Sequence, residues 1–166
     1  YLVPKAVLQP VSVEEIKKIF TFSQHQKINI TFRAGGTSLS GQGVTDGILV
    51  DLSNYWRKVL PENNGETVRV EPAVIGSHVN LALKRFGRKI GPDPASINAA
   101  MRGGILSNNS SGMCCGVINN SYHTLKYLKF ILPNGMEFNT EIPSDYVRFE
   151  KEAAGIAQEI RSLRLE

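Results

Sequence analysis

Cysteine is nearly absent from this 166-residue chain: there are two, Cys114 and Cys115, and they are adjacent. A disulfide between neighbours is strained, so both are read as reduced thiols in a reducing, cytoplasmic compartment. Histidine is as scarce. With only His25, His78 and His123 and no C-x-x-C pair, no metal site is expected. Long apolar runs are missing too. Nothing approaches the roughly 18–20 residues that span a bilayer, and the N-terminus lacks the basic, apolar and small-residue order of a secretory signal. The chain therefore reads as soluble, with peripheral membrane attachment of a longer protein left open. It starts at Tyr1 and not at methionine, which points to a fragment or a processed chain. Blocks of one charge are also lacking. The formal charge is +4, but the lysines and arginines are scattered, which argues against a nucleic-acid partner and suits an anionic small ligand.

What is present fits one globular domain. A hydrophobic share of 42% with 20% charged residues, over this length, supports a single core. Ser12 and Glu15 form a capping box ahead of Val13, Ile16, Ile19 and Phe20, which predicts a helix over about 13–24. The runs at 28–32, 47–52 and 67–74 read as strands, and Val79, Ala82, Leu83 and Phe86 as a second helical face closed by Gly87. Residues 91–116 read as irregular apart from MRGGIL. A hairpin is expected around Pro133-Asn134-Gly135, and one amphipathic helix carrying Phe149, Ala153, Ile156, Ala157, Ile160 and Leu163 closes the chain. The boundary is placed after Asn139, giving a domain over 1–139 with a subdivision near 60–70, and a linker and helix over 140–166. No internal repeat is visible.

The most informative stretch is RAGGTSLSGQG, residues 33–43, with four glycines. Gly35 and Gly36 permit close approach to the main chain, Thr37, Ser38 and Ser40 add hydroxyls, and successive N–H groups in such a turn form an anion-binding concavity. The plainer alternative is a solvated connection between strands that needs glycine for geometry alone. Two common phosphate loops are excluded by the residues themselves. Gln42 and Gly43 stand where a Walker motif needs lysine and a hydroxyl, and no third glycine follows Gly41-Gln42-Gly43 as a Rossmann turn requires.

A second polar region follows, GPDPAS at 91–96 and GGILSNNSSG at 103–112. With VRVEPAV and LKFILPNG in the same order, the chain resembles the FAD-binding domain of the vanillyl-alcohol oxidase or PCMH type. The likeness is greatest to its D-lactate, glycolate and other 2-hydroxyacid dehydrogenase branch and covers roughly residues 4–139. The resemblance implies an α+β fold of two α/β subdomains with FAD between them. It places the pyrophosphate on Ala34, Gly35, Gly36, Thr37, Ser38, Leu39, Ser40, Gly41 and Gln42. It also assigns Pro92, Asp93, Pro94, Ala95 and Ser96, and then Gly103, Gly104, Asn109 and Gly112, to the cofactor.

Departures carry information as well. Thr37 replaces the histidine to which covalent members attach flavin, so FAD is expected to be non-covalent. CCGVINNSYH replaces a usual tyrosine-glycine pair, and Arg102 stands where isoleucine is common before the paired glycines. No cap domain or catalytic base is assigned. The implied function is the FAD-binding part of a flavin-linked oxidoreductase that oxidises a 2-hydroxyacid by hydride transfer, inactive as a fragment. A UDP-sugar enolpyruvyl reductase of the same superfamily, using NADPH, is disfavoured by GPDPAS. A non-catalytic remnant that keeps the scaffold for another ligand or partner is the alternative from a different class. Oligomeric state is left open.

Overall fold

β-Branched and aliphatic residues build the sheet that positions the first loop. The computed structural model of the chain describes residues 2–165, in two compact units that divide between Leu125 and Lys126. In the first unit, strands β1 (Ala6–Leu8), β2 (Ile30–Arg33) and β3 (Ile48–Asp51) form a parallel sheet in the order β1-β3-β2. β3 lies in the centre, and Ile48, Leu49 and Val50 are correspondingly buried. Helix α1 (Val13–Gln26) connects β1 to β2. Ser12 caps it by accepting from the Glu15 N–H at 3.3 Å, while Glu15 accepts from the Val11 N–H at 2.7 Å, one residue before the expected partner. The helix ends at Lys27, which is left-handed with φ 51°. Ile16 is buried, and Phe20 meets Phe32 of β2 with ring centroids 5.7 Å apart.

A second sheet pairs β4 (Val59–Glu62) antiparallel with β5 (Thr67–Val70). The sequence reading assigns no strand at 6–8 or 59–62, and the structure has both. Each is short, and Pro61 argues against a strand. In a two-stranded ribbon the strand has an open edge, so a missing N–H is tolerated there. β5 also stops at Val70, short of the expected 74. Helix α2 (Gly76–Leu83) follows, extended by one 3₁₀ turn and closed by the left-handed Gly87 with φ 66°. Val74, Val79 and Leu83 form a core with Val59, Val68, Val70, Phe86 and Ile90 packed on it. Within the segment 91–116 read as irregular, the MRGGIL stretch forms a short helix, α3 (Arg102–Ser107), and a further short helix, α4 (Ser121–Thr124), follows the segment.

The second unit is the expected hairpin plus helices. β6 (Lys129–Ile131) pairs with β7 (Glu137–Asn139) across a turn in which Gly135 has φ 84°. Phe138 stacks on Phe130 at 5.7 Å and meets Phe149 edge-on at 5.1 Å. The single C-terminal helix expected from periodicity is two helices, α5 (Pro143–Glu152) and α6 (Ala154–Leu165). The chain leaves helical geometry at Ala153, with φ −118° and ψ 32°. Phe149, Ala153 and Ala157 turn inward, whereas Ile156, Ile160 and Leu163 are exposed. No helix among the described residues is long and apolar enough to cross a membrane.

Candidate functional site

The first loop, residues 34–47, leaves the C-terminal end of β2 and returns the chain to β3, its parallel neighbour. Parallel neighbours need a crossover of roughly a dozen residues. The length of this loop is therefore a demand of the topology, and only its composition needs a further cause. Such a crossover usually contains a helix; here it is irregular.

The hydrogen-bond pattern is as informative. Among the described residues, no main-chain N–H from Gly35 to Gly43 donates to another protein group; the first to do so is Val44, to Gly41 O at 3.2 Å. Residues 36–42 are exposed throughout. Gly36 is left-handed with φ 62°, and Gly41 likewise with φ 81°. Ser38 donates its hydroxyl to the Gln42 side chain, closing the turn on itself. Ala34 and Gly35 are half-buried at the root, while Thr37, Leu39 and Ser40 point to the exterior.

Arg33 lies under this turn. Its Nε is where a side chain at Gly36 would go, 2.7 Å from an ideal Cβ. In the β2–β3 register Arg33 faces Asp51. The Asp51 carboxylate also accepts from Ser53 N at 2.9 Å and Gln9 Nε2 at 3.0 Å. Burial raises the Asp51 pKa, but these hydrogen bonds and the Arg33 guanidinium outweigh it and hold the group below its ordinary value.

The second polar region touches the first. A Cβ on Gly35 would stand 2.7 Å from Ala99 O and 3.2 Å from Met101 N, so the missing side chain is what lets the two segments meet. Within the second region most polar groups are engaged. Asp93 N donates to Ser111 O at 2.6 Å, Ser110 to the Asn108 side chain, and Asn109 Oδ1 accepts from Tyr122 N at 3.2 Å. Asn109 is left-handed with φ 51°, as a residue closing α3. Gly112 (φ 83°) packs so closely on the main chain of Asp93 that a Cβ would fall 1.7 Å from its carbonyl oxygen. Pro92 and Pro94 are buried, Asp93 is half-buried, and Ala95 and Ser96 are exposed.

The paired glycines of α3 differ from each other. Gly103 donates to Pro72 O at 2.8 Å, and a Cβ there would meet the Pro72 ring at 2.8 Å. At Gly104 a Cβ would meet nothing within 4 Å, and the residue is exposed. Neither backbone angle nor packing requires glycine at 104, and the space beside it is open to the exterior.

These features fit a dinucleotide: free N–H groups and hydroxyls in one loop, with an open glycine face on the segment it touches. A family model described as an FAD binding domain matches residues 4–141. The chain belongs to the FAD binding domain family.

Known relatives agree with the membership. D-2-hydroxyglutarate dehydrogenase of Pseudomonas putida is 31% identical over 91% of this chain, which spans 15% of that protein. Glycolate oxidase subunit GlcD of Bacillus subtilis is 32% identical over 66% of this chain, which spans 24% of it. Among solved structures, 6-hydroxy-D-nicotine oxidase from Arthrobacter nicotinovorans superposes with a TM-score of 0.73 at 16% identity. That match covers 82% of this chain and 30% of the other. The chain is thus a minor part of the length of these proteins, and the α+β fold read from the sequence is shared with flavin-dependent oxidases.

An FAD binding domain need not carry its own base, and none stands out. His78 is exposed on α2, His25 lies in the last turn of α1, and His123 Nδ1 sits 2.9 Å from the Asn120 side chain. Among the described residues no group of three or more histidine, cysteine or acidic side chains could hold a metal. Both cysteines are free, Cys115 buried and Cys114 exposed. The sequence reading missed one residue: the Arg102 side chain, noted there only as standing where isoleucine is common, is partly buried ahead of the glycine pair.

Proposed function

We propose that this chain holds FAD non-covalently and is the cofactor-binding part of a flavin-dependent oxidoreductase acting on a 2-hydroxyacid. The observation that carries the reading is the row of unengaged main-chain N–H groups from Gly35 to Gly43, in a turn that is exposed over residues 36–42 and holds two left-handed glycines. Such a row recognises phosphate oxygens through backbone dipoles, without lysine or magnesium. Thr37 and Ser40 supply hydroxyl donors, and Ala34, Leu39 and Gln42 complete the turn. In this reading Gly104 admits the ligand to the α3 face, and Ala95 and Ser96 present exposed polar surface beside it. Pro92, Asp93, Pro94, Gly103, Asn109 and Gly112 act one step back, holding the second segment in shape. The domain is proposed to run over 1–139, with 140–166 as an appended segment.

When bound, FAD supplies the two-electron acceptor for oxidation of the substrate. The protein's part within these residues is to bind and orient it. The 2-hydroxyacid class is supported by the relatives, which are dehydrogenases and an oxidase subunit for such acids. Non-covalent attachment is supported by Thr37, which has no nucleophilic nitrogen to offer the flavin.

The direct test is the visible absorption spectrum of the purified chain, before and after FAD is added and the excess removed. Flavin bands that survive desalting and are released by denaturation are expected. A colourless protein that also ignores added FAD sinks the reading for this chain.

A further inference from the structure

Two guanidinium nitrogens are buried without a hydrogen-bond partner among the described residues, Arg102 Nη1 and Arg148 Nε. Their surroundings differ. The Arg148 guanidinium lies 4.7 Å over the Phe138 ring, 3.4 Å from Asp145 and 3.7 Å from Glu152, so its charge is answered. At Arg102, burial alone moves the pKa, downward, with no acid contributing. Arg102 is half-buried, and its enclosed Nη1 donor is unpaired, which is costly and calls for an explanation in a native fold.

The backbone fixes where this cation stands. Arg102 N donates to Val74 O and Gly103 N to Pro72 O, each at 2.8 Å, which pins the start of α3 to the segment after β5. One residue earlier, Met101 is at the contact with Gly35 of the first loop. Two residues later, Gly104 opens to the exterior. Along the main chain Arg102 therefore lies between the residue that meets the first loop and the glycine that opens to the exterior.

We propose that Arg102 is an oxyanion-binding residue of this site, pairing through its guanidinium with a phosphate or carboxylate oxygen of the bound ligand. Guanidinium presents a planar fork suited to either group. The assignment rests on the flavin reading for the identity of the ligand, though not for the existence of the anion site. Because the cofactor carries the diphosphate and a 2-hydroxyacid carries the carboxylate, the source of the oxyanion is decided by experiment.

The experiment compares the wild-type chain with Arg102→Met and Arg102→Lys, at fixed ionic strength. Each is melted alone and with inorganic pyrophosphate, and each is titrated with FAD and with riboflavin by fluorescence. Alone, Arg102→Met should melt at or above the wild-type temperature, because a half-buried guanidinium with an unpaired donor has gone. A large fall would mean that the protein itself holds the guanidinium, and would overturn the proposal. The FAD dissociation constant should rise roughly ten- to a hundredfold in Arg102→Met, the range for losing a hydrogen bond to a charged group, with partial recovery in Arg102→Lys. Riboflavin, which has no phosphate, should bind all three alike. If FAD binding is unchanged but D-lactate perturbs the flavin spectrum only in the wild type, the assignment holds with carboxylate as the source. If no flavin binds yet pyrophosphate stabilises only the wild type and the lysine variant, the anion site stands and the flavin reading falls. Equal responses of all three proteins to every one of these ligands would overturn the proposal.

Discussion

Residues 34–43 and residues 91–112 are built from the same small and polar residue types, yet they do opposite things. In the first loop the main-chain donors from Gly35 to Gly43 make no bond to the protein, and the hydroxyl-bearing turn is exposed. In the second segment donors are spent internally, Asp93 on Ser111 and Ser110 on Asn108 and Ile105, and the Asn109 side chain accepts from Tyr122 N beyond it. Composition alone marks both as ligand-ready. The difference comes from topology, because the first loop hangs from one end of a parallel strand pair, whereas the second is folded back on itself and on α2. One is open in its bonding, as the proposed ligand surface requires, and the other is mainly a frame beside it.

The sharpest way to break this contrast is at Gly112. A side chain there meets the Asp93 carbonyl at 1.7 Å in a backbone conformation with φ 83°, so nothing nearby can give way cheaply. Gly112→Ala should cost more than about 3 kcal/mol of folding stability, read as a lower urea midpoint with unchanged slope. The loss should be the same with and without FAD.

Gly36→Val tests the other side. The φ of 62° and the Arg33 side chain 2.7 Å from an ideal Cβ put strain in the turn, but the neighbour is the movable end of an arginine on the surface. About 1–2 kcal/mol of stability should be lost. The FAD dissociation constant should rise at least tenfold, by fluorescence titration. A variant with weakened folding and unchanged FAD affinity would refute the ligand role of the loop.

Gly104→Ala separates the two roles within one helix. The open space around it predicts a gain of about 0.5–1 kcal/mol in the free protein, since alanine replaces glycine inside α3. In the same variant FAD should bind more weakly, because the methyl group fills that space. Opposite signs in a melting curve with and without FAD are the expected signature; a gain under both conditions would remove Gly104 from the site.

Much of this was legible before any coordinates. The Ser12 and Glu15 cap, the buried run at β3, the Pro-Asn-Gly hairpin and the glycine loop between two strands all follow from strong local signals. What escaped has physical causes. β1 is three residues long, below the length at which a pattern emerges, and β4 carries Pro61, which only an open edge tolerates. The break at Ala153 is invisible to periodicity because Phe149, Ala153 and Ala157 keep helical spacing across it. At the site, the loop's residues could be named but its parallel crossover could not. The close approach of Gly35 to residues 99–101, and the unpartnered nitrogen of Arg102, depend on contacts distant in sequence.

The smallest effect concerns the base of the first loop, where Asp51 faces Arg33 and accepts from Ser53 and Gln9. Its folded pKa is depressed below the ordinary value of 3.8. A group with a depressed folded pKa stabilises the protein fully above its unfolded pKa, and that contribution disappears as pH falls through the folded value. The affected window is therefore below about pH 4. Asp51→Asn should lower stability at neutral pH by less than about 1 kcal/mol, given solvent screening of such a pair, and flatten the acid limb of the stability curve. If the two regions are as distinct as their bonding implies, hydrogen exchange in the variant should quicken at Phe32–Arg33 and Leu52. The amides of Asp93 and Ser110 should keep their protection. Equal loosening of both would show that the frame and the ligand loop are one cooperative unit, and the contrast between them would be only one of surface chemistry.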